Sequence, residues 1–470
     1  MRSKLQKFTD FANGLLPHET HYLIENQQFE DKIKLSILER IHYNCLHIDR
    51  FTPFDESIDK RKYSNLKSWI TERLEAIDVD VQFEWMSEME RQIVTDSIHP
   101  ESEKILLRNI RSYQSGEYYF IKFYELVRTY RHFLLIRMRY ADHEEADNFL
   151  KKFKPAYEHS REVNEKIHRA TLDIVDQYSK QTSESIQWED WLTEVFYDEN
   201  LDGQNRYLAL VRLTFIYFNY RRFEPLREKF DYLDGLFLKG IFYSKRILLN
   251  YYSNRLLLHS KFNEYEKAEY YGYLSVRGKN SDYIHYVNNL SAVLMREKKY
   301  KEAFAVMKAA LPDAKTTHSF HNKIGFVAFY IKCLNHNHQY KSAESYGENF
   351  LGAYRKEIFA YRWHLFFTAL LDALLQQKKY GKLLDTIKKY DLLSRDEQYS
   401  KKATYLPTIP WYQSIAAYKT GELGFKNLLD FLSQSLLQTE PEPDRHQLLL
   451  DFLKEVSSHI PEAYQGLGKG

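Results

Sequence analysis

The sequence predicts an all-α protein, an α-solenoid of antiparallel helix hairpins with an N-terminal helical region. Three observations predict it. Lys299-Tyr300-Lys301-Glu302-Ala303 returns as Gln339-Tyr340-Lys341-Ser342-Ala343, and again, more worn, as Lys379-Tyr380-Gly381-Lys382-Leu383. The three tyrosines step by 40 residues, and Leu294, Leu334 and Leu374 keep the same step six residues before each tyrosine. Glycine and proline are scarce, at 16 and 11 in 470 residues, which suits long helices and short turns.

One unit reads directly as two helices. Val287, Leu290, Val293 and Leu294 fall at helical spacing on one face. Lys298-Lys299 interrupts the pattern as a tight turn, and Tyr300, Ala303, Phe304, Met307 and Ala310 form a second apolar face. Such a hairpin buries too little apolar surface alone, and stacked copies solve the problem. Ala303 and Ala343 are small enough to let the second helix approach the first closely, with Tyr300 and Tyr340 wedged at the turns. Leu383 should push its pair apart.

This unit resembles the tetratricopeptide repeat. Val287-Asn288-Asn289-Leu290-Ser291 stands where that family has its aromatic, leucine and glycine. Leu294 stands at its tyrosine, Ala303 and Ala310 at its alanines, and Met307 at its phenylalanine. Ser291 replaces the glycine, Lys315 the closing proline, and Gly347 the phenylalanine of the second copy. The step exceeds the family's period of about 34. The resemblance is therefore tetratricopeptide-like and covers about a quarter of the chain clearly.

Earlier in the chain, Asp31 to Ile48, Lys62 to Ile77 and Val81 to Ile98 read as helices, and His99-Pro100-Glu101 as a break followed by a helix start. Phe120, Phe123, Tyr124, Val127, Tyr130, Phe133, Leu134 and Ile136 mark a dense helix. His143-Glu144-Glu145-Ala146 follows it in the manner of Tyr300 to Ala303, as a worn repeat. Ala156 to Tyr178 reads as one long helix. The polar stretch from Lys180 to Ser185 gives the boundary: 1–180 as an N-terminal helical region, either a bundle or divergent repeats, and 181–470 as the solenoid with a C-terminal capping helix. Phe223 takes the role of Tyr300 in Arg222-Phe223-Glu224-Pro225, and Tyr265-Glu266-Lys267-Ala268 opens a further copy. A last pair runs from Trp411 to Tyr418 and from Phe425 to Leu436. Pro441-Glu442-Pro443-Asp444 punctuates, Gln447 to Val456 closes the array, and 465–470 reads as a frayed tail.

Composition narrows the function classes. With 67 basic and 65 acidic residues the net charge is +2, so nucleic acid is not the expected partner. Aromatic residues reach 16%, too many for a disordered chain. Cys45 and Cys333 are the only cysteines, which argues for a reducing compartment. The start carries no secretory signal pattern, and no run of 18 apolar residues occurs. A cytoplasmic protein with no membrane partner is expected.

Four histidine spacings invite a metal reading: Glu39-x-x-His42, Glu165-x-x-His168, His18-x-x-His21 and His42-x-x-Cys45-x-His47. Paired Glu-x-x-His helices can hold two irons, and His, Cys and His are zinc ligands. One helix cannot converge residues three and five apart on one ion, and solvated or core-edge histidines are the simpler reading. No phosphate-cradling glycine loop and no Gly-x-Ser-x-Gly elbow occurs. No catalytic residue, cofactor or metal is expected. Lys378-Lys379, Lys388-Lys389 and Lys401-Lys402, interleaved with Tyr380, Tyr390 and Tyr399, have the composition of a single-strand binding strip. On a solenoid such lysines more simply solvate turns.

The functional expectation is geometric. Stacked hairpins curve, and their first helices line a concave groove. Carried over from the resembled family, the groove stripe of the three copies gives a peptide-binding set: His285, Asn288, Arg296, Lys332, Asn335, His336, Thr368, Asp372 and Gln376. These polar side chains are expected at the exposed face, where amides pair with a peptide backbone and Arg296 and Lys332 favour acidic segments. Ala292 stands where chaperone-binding members have asparagine, so a chaperone tail is not the expected ligand. The expected protein is a non-enzymatic interaction scaffold or regulator with a protein or peptide partner. The competing reading is an enzyme or metal-dependent activity seated in the N-terminal helical region.

Overall fold

A computed structural model describes residues 4–48, 50–180, 184–400, 405–439 and 443–467. The chain is all-α: among the described residues there are helices and turns and no strand. It divides into two compact units, 1–264 and 265–470.

The first unit opens with α1 (Gln6–Asn13), α2 (Pro17–Asn26), α3 (Lys32–Leu46) and α4 (Lys60–Glu75), which pack on one another. Asp31, Asp59 and Asp78 cap α3, α4 and α5 (Val79–Val94), the Asp31 and Asp78 carboxylates each accepting two N–H groups of the first turn and the Asp59 carboxylate one, that of Arg61. Pro100 begins α6 (Pro100–Ser112), as the break at His99 leads one to expect, because the first turn needs no donor there. α7 (Phe120–Ile136) and α8 (Tyr140–Lys180) enclose an aromatic core of Tyr113, Phe120, Phe123, Tyr124 and Phe149. α8 runs through Pro155 as one helix, starting sixteen residues before the stretch read from sequence as Ala156 to Tyr178. After α9 (Glu189–Tyr197) come α10 (Gly203–Asn219), α11 (Phe223–Leu238) and α12 (Lys245–Lys261), with α10 packed between α8, α9 and α11. α2 returns to α11: the His18 ring lies 2.7 Å from the Tyr252 hydroxyl and 2.9 Å from Asp234 Oδ1.

The second unit is a stack of antiparallel pairs. α13 (Tyr265–Ser275) packs on α14 (Tyr283–Arg296), which pairs with α15 (Tyr300–Ala309); a short α16 (Leu311–Thr316) follows. α17 (Phe320–His336) pairs with α18 (Tyr340–Ala360), and α19 (Trp363–Gln376) with α20 (Tyr380–Lys389). α21 (Leu392–Tyr399) precedes the last pair, α22 (Thr408–Thr420) and α23 (Phe425–Thr439). The first helices stack in order, α14 on α17, α17 on α19 and α19 on α22. α24 (Pro443–Val456) and α25 (Pro461–Leu467) close the chain. The supposed frayed tail is thus helical through Leu467.

The repeat's meaning lies in its turns. Lys298, His338 and Lys378 each adopt a left-handed backbone, with φ of 61°, 58° and 58°. The N–H of the next residue, 299, 339 or 379, donates to the carbonyl of Leu294, Leu334 or Leu374. This is a Schellman turn, which closes one helix before Tyr300, Tyr340 or Tyr380 begins the next. The same turn recurs at Met138, Arg221 and Asn263, with donors Arg139, Arg222 and Glu264, ahead of Tyr140, Phe223 and Tyr265. The counterpart of Tyr300 in the earliest copy is therefore Tyr140. The register read at His143 was three residues late.

Packing follows the sequence pattern. Val287, Leu290, Val293, Leu294, Ala303, Met307, Ala310 and Ala343 are buried. Leu383 is also fully buried at its equivalent position. Residues 181–183 of the Lys180–Ser185 stretch, Lys401-Lys402, Pro441-Glu442 and 468–470 lie outside the described residues.

Candidate binding face on the stacked first helices

The sequence-derived set falls into three groups and one outlier. In the first group, Asn288 of α14 is buried, and its Nδ2 donates to the Asn322 carbonyl at 3.1 Å. Its Oδ1 has no hydrogen-bond partner among the described residues. His285, one turn earlier, is half-buried with Nε2 3.2 Å from Asn289 Nδ2, and burial pushes its ring basicity down. Gly325 of α17 leaves room here: a Cβ on it would lie 2.6 Å from the Arg362 guanidinium and 3.2 Å from the Asn288 amide.

The second group joins α17 to α19. Asn335 is buried, and its Nδ2 donates to the Ala369 carbonyl at 3.1 Å and to Asp372 Oδ2 at 2.6 Å. Gln376 Nε2 donates to the other Asp372 oxygen at 3.2 Å. The Asn335 Oδ1 has no hydrogen-bond partner among the described residues. His336 stacks on Tyr300 with ring centroids 4.3 Å apart and planes 6° from parallel. Burial, with the nearby Lys332 charge, brings His336 down to about 4, so it is neutral at pH 7.

Lys332 is the charged centre of this group. Among the described residues no carboxylate comes within ion-pair distance of its amine, which burial pushes down and the charges of Glu455 and Asp372 hold up. Burial raises Asp372 against the hydrogen bonds from Gln376 and Asn335. In the third group, Thr368 Oγ1 lies 3.2 Å from Thr408 Oγ1 of α22. Arg296 stands apart, exposed at the end of α14 with its guanidinium 5.8 Å from the Tyr265 ring centroid.

The expectation that these polar groups sit at an exposed face holds for Arg296 and fails for Asn288 and Asn335. Both amides are spent as clasps between successive first helices, because a buried amide must find partners within the stack. The lysine strip is likewise divided. Lys379 and Lys382 hold Glu344 at 2.5 and 2.7 Å, and Lys389 lies over Tyr390 at 5.4 Å.

Two members of the face were missed. Tyr412 of α22 is buried and acted on by Asp372 and Glu455. It stands 40 residues after Asp372, which stands 40 after Lys332, so extending the period would have found it. Glu455 comes from α24, outside any repeat. Burial and the Asp372 charge raise its carboxyl, and Lys332 opposes them. One turn before it, Phe452 packs edge-on against Tyr412 at 5.1 Å and tilted on Trp411 at 5.6 Å. Beyond it, His459 Nδ1 lies 3.0 Å from the Tyr380 hydroxyl. The chain's own closing helix therefore lays a carboxylate and an aromatic ring on the face built by α17, α19 and α22.

The histidine spacings lead elsewhere. His42 Nδ1 meets Thr20 Oγ1 at 2.8 Å, His47 stacks on Tyr43, and Cys45 is buried with Sγ 3.4 Å from the Leu15 carbonyl. Among the described residues no three His, Cys, Asp or Glu side chains gather as a metal-holding group. No described helix is long and apolar enough to cross a membrane.

No family model matches the chain, and no curated protein matches it.

Proposed function

We propose that the chain is a non-enzymatic interaction scaffold of tetratricopeptide-like build, which binds an extended segment of a partner protein in the concave groove of its second unit. One observation carries this reading: Lys332 is a half-buried cation with no ion-pair partner among the described residues, one turn before Asn335 on α17, whose Oδ1 has no hydrogen-bond partner among them either. A charge held in a protein without a partner is costly, and a carboxylate supplied by a bound segment would relieve it. Glu455 of α24 already acts on Lys332 from within the chain. The incoming segment is accordingly acidic, and it competes with α24 for the α17–α19 end of the groove.

The test begins with proteins that co-purify from native cells, identified by mass spectrometry. The recovered partner is titrated into the native chain and into Lys332→Glu, with circular dichroism as the fold check. A loss of tenfold or more in affinity for a folded Lys332→Glu supports the groove. Equal affinity moves the site away from Lys332 and refutes this reading.

A further inference from the structure

The first unit contains a cavity of about 740 Å³ between α5, the end of α6, the start of α7 and the turn that follows α11. Its size lies within the range of roughly 300–1,000 Å³ usual for small-molecule sites. Aromatic residues supply much of the wall: Trp85 from α5, Tyr119 and Phe123 from the start of α7, and Phe242 from the turn after α11; one face of Phe123 stacks on Tyr113 and the Phe242 ring already carries the Arg206 guanidinium at 5.1 Å, which leaves Trp85 and Tyr119 as the rings for a ligand. Val81, Ile105 and Ile241, also on the wall, are 40%, 44% and 42% exposed, so the lining leaves apolar surface to water.

The wall is held by tightly packed turns. Gly240 has φ +74°, and a Cβ there would lie 2.9 Å from Tyr22 and 3.0 Å from Ile77. Gly116 has φ +88°, and a Cβ there would lie 3.0 Å from the Glu199 carbonyl. Phe242 itself sits at φ 61° and packs edge-on against Tyr118 at 5.5 Å. A side chain at either glycine would displace the wall, so the cavity's shape is specified by residue choice.

The charges on the lining have one sign. Glu75 and Glu117 contribute carboxylates, and among the described residues no lysine, arginine or histidine lines the cavity. The nearby Arg246 is committed to Asp80 by two contacts of 3.0 and 2.8 Å. Glu117 is a solvent-exposed lining residue; crowding by the protein raises its carboxyl and the hydrogen bond from the Gln114 backbone opposes the shift. Aromatic faces attract cations through their quadrupole, and a carboxylate beside them adds charge complementarity.

We infer that this cavity binds an organic cation, a protonated or quaternary amine carried on an apolar, ring-bearing body. The ammonium sits by Glu117 and the aromatic faces of Trp85 and Tyr119, and the body lies against Phe123, Phe242 and Ile105. The inference concerns the first unit alone and stands apart from the groove proposed above.

The experiment is calorimetric titration of the full chain with three probes that share one body: 4-phenylbutylamine, 4-phenylbutanol and 4-phenylbutyrate. The amine should bind, the alcohol at least tenfold more weakly, and the anion not at all. Glu117→Gln should cut amine affinity about tenfold and narrow the gap to the alcohol, and Trp85→Ala should weaken both. Circular dichroism and the melting temperature establish that each variant is folded. No binding by any probe, binding of the anion as strong as that of the amine, or amine affinity unchanged in both folded variants would overturn the inference.

Discussion

Replacing Ala303 by Leu tests whether the repeat register is also the packing register. Ala303 is 0% exposed on α15, which packs against both α14 and α17, so a larger side chain has no route to solvent. Three added carbons in a closed site force side chains off their rotamers or push the helices apart, at a cost of about 1–3 kcal/mol. The equivalent site on α20 holds Leu383, also 0% exposed, in a pair that has settled around the larger residue. Leu383→Ala should leave a cavity and cost about 2–5 kcal/mol, although the same exchange in reverse is overpacking at Ala303. Urea unfolding followed by far-UV circular dichroism measures both, and hydrogen exchange of α14–α15 and α19–α20 locates the damage. Stability in stacked repeats is carried by neighbouring contacts, so the loss should be local to each pair. If Ala303→Leu leaves the midpoint and the exchange of α14–α15 unchanged, the two sites are not equivalent and the alignment of units is wrong.

Two further perturbations follow from the turns and the ion pairs. Lys298→Gly removes a side chain from a left-handed position, and should raise stability by up to about 1 kcal/mol by urea midpoint; a fall would contradict the Schellman assignment. Burial alone would raise Glu344, yet Lys379, Lys382 and Gln377 bring its carboxyl down to about 2, below the ordinary 4.5. A depressed carboxyl stabilises the fold above the ordinary value and loses that contribution as pH falls toward 2. The native chain should therefore lose more stability between pH 5 and pH 2 than Glu344→Gln does, and equal losses would refute the pairing.

Part of the fold was legible because the turns demand a fixed spacing. A Schellman turn puts the donating N–H on the fifth residue after the accepting leucine carbonyl, and the aromatic that opens the next helix follows directly. The 40-residue step of Leu294, Leu334 and Leu374 records that geometry in side chains. At Met138, Arg221 and Asn263 the backbone keeps the turn, but the leucine gives way to Tyr217 and His259 in two of the three. A backbone requirement can persist after its side-chain signature has gone, and this is why the copy at Tyr140 was read three residues late. On the face proposed to bind, the period placed Lys332, Asn335, His336, Asp372 and Gln376 together, which they are. It could not say that Asn288 and Asn335 turn their amides to carbonyls 34 residues on, because position on a stripe does not fix depth. Tyr412 lay within reach of the period. Glu455 did not, since a closing helix repeats nothing.

The most direct test of the groove is where a partner touches it. A photo-crosslinking residue is placed at Arg296, exposed at the end of α14, and in a second variant at Lys341, exposed on α18, the second helix of its pair. Each is incubated with the partner recovered from native cells and irradiated, and the adducts are mapped by mass spectrometry. Crosslinking from position 296, with little from 341, is the result the groove predicts; crosslinking from 341 and none from 296 would contradict it.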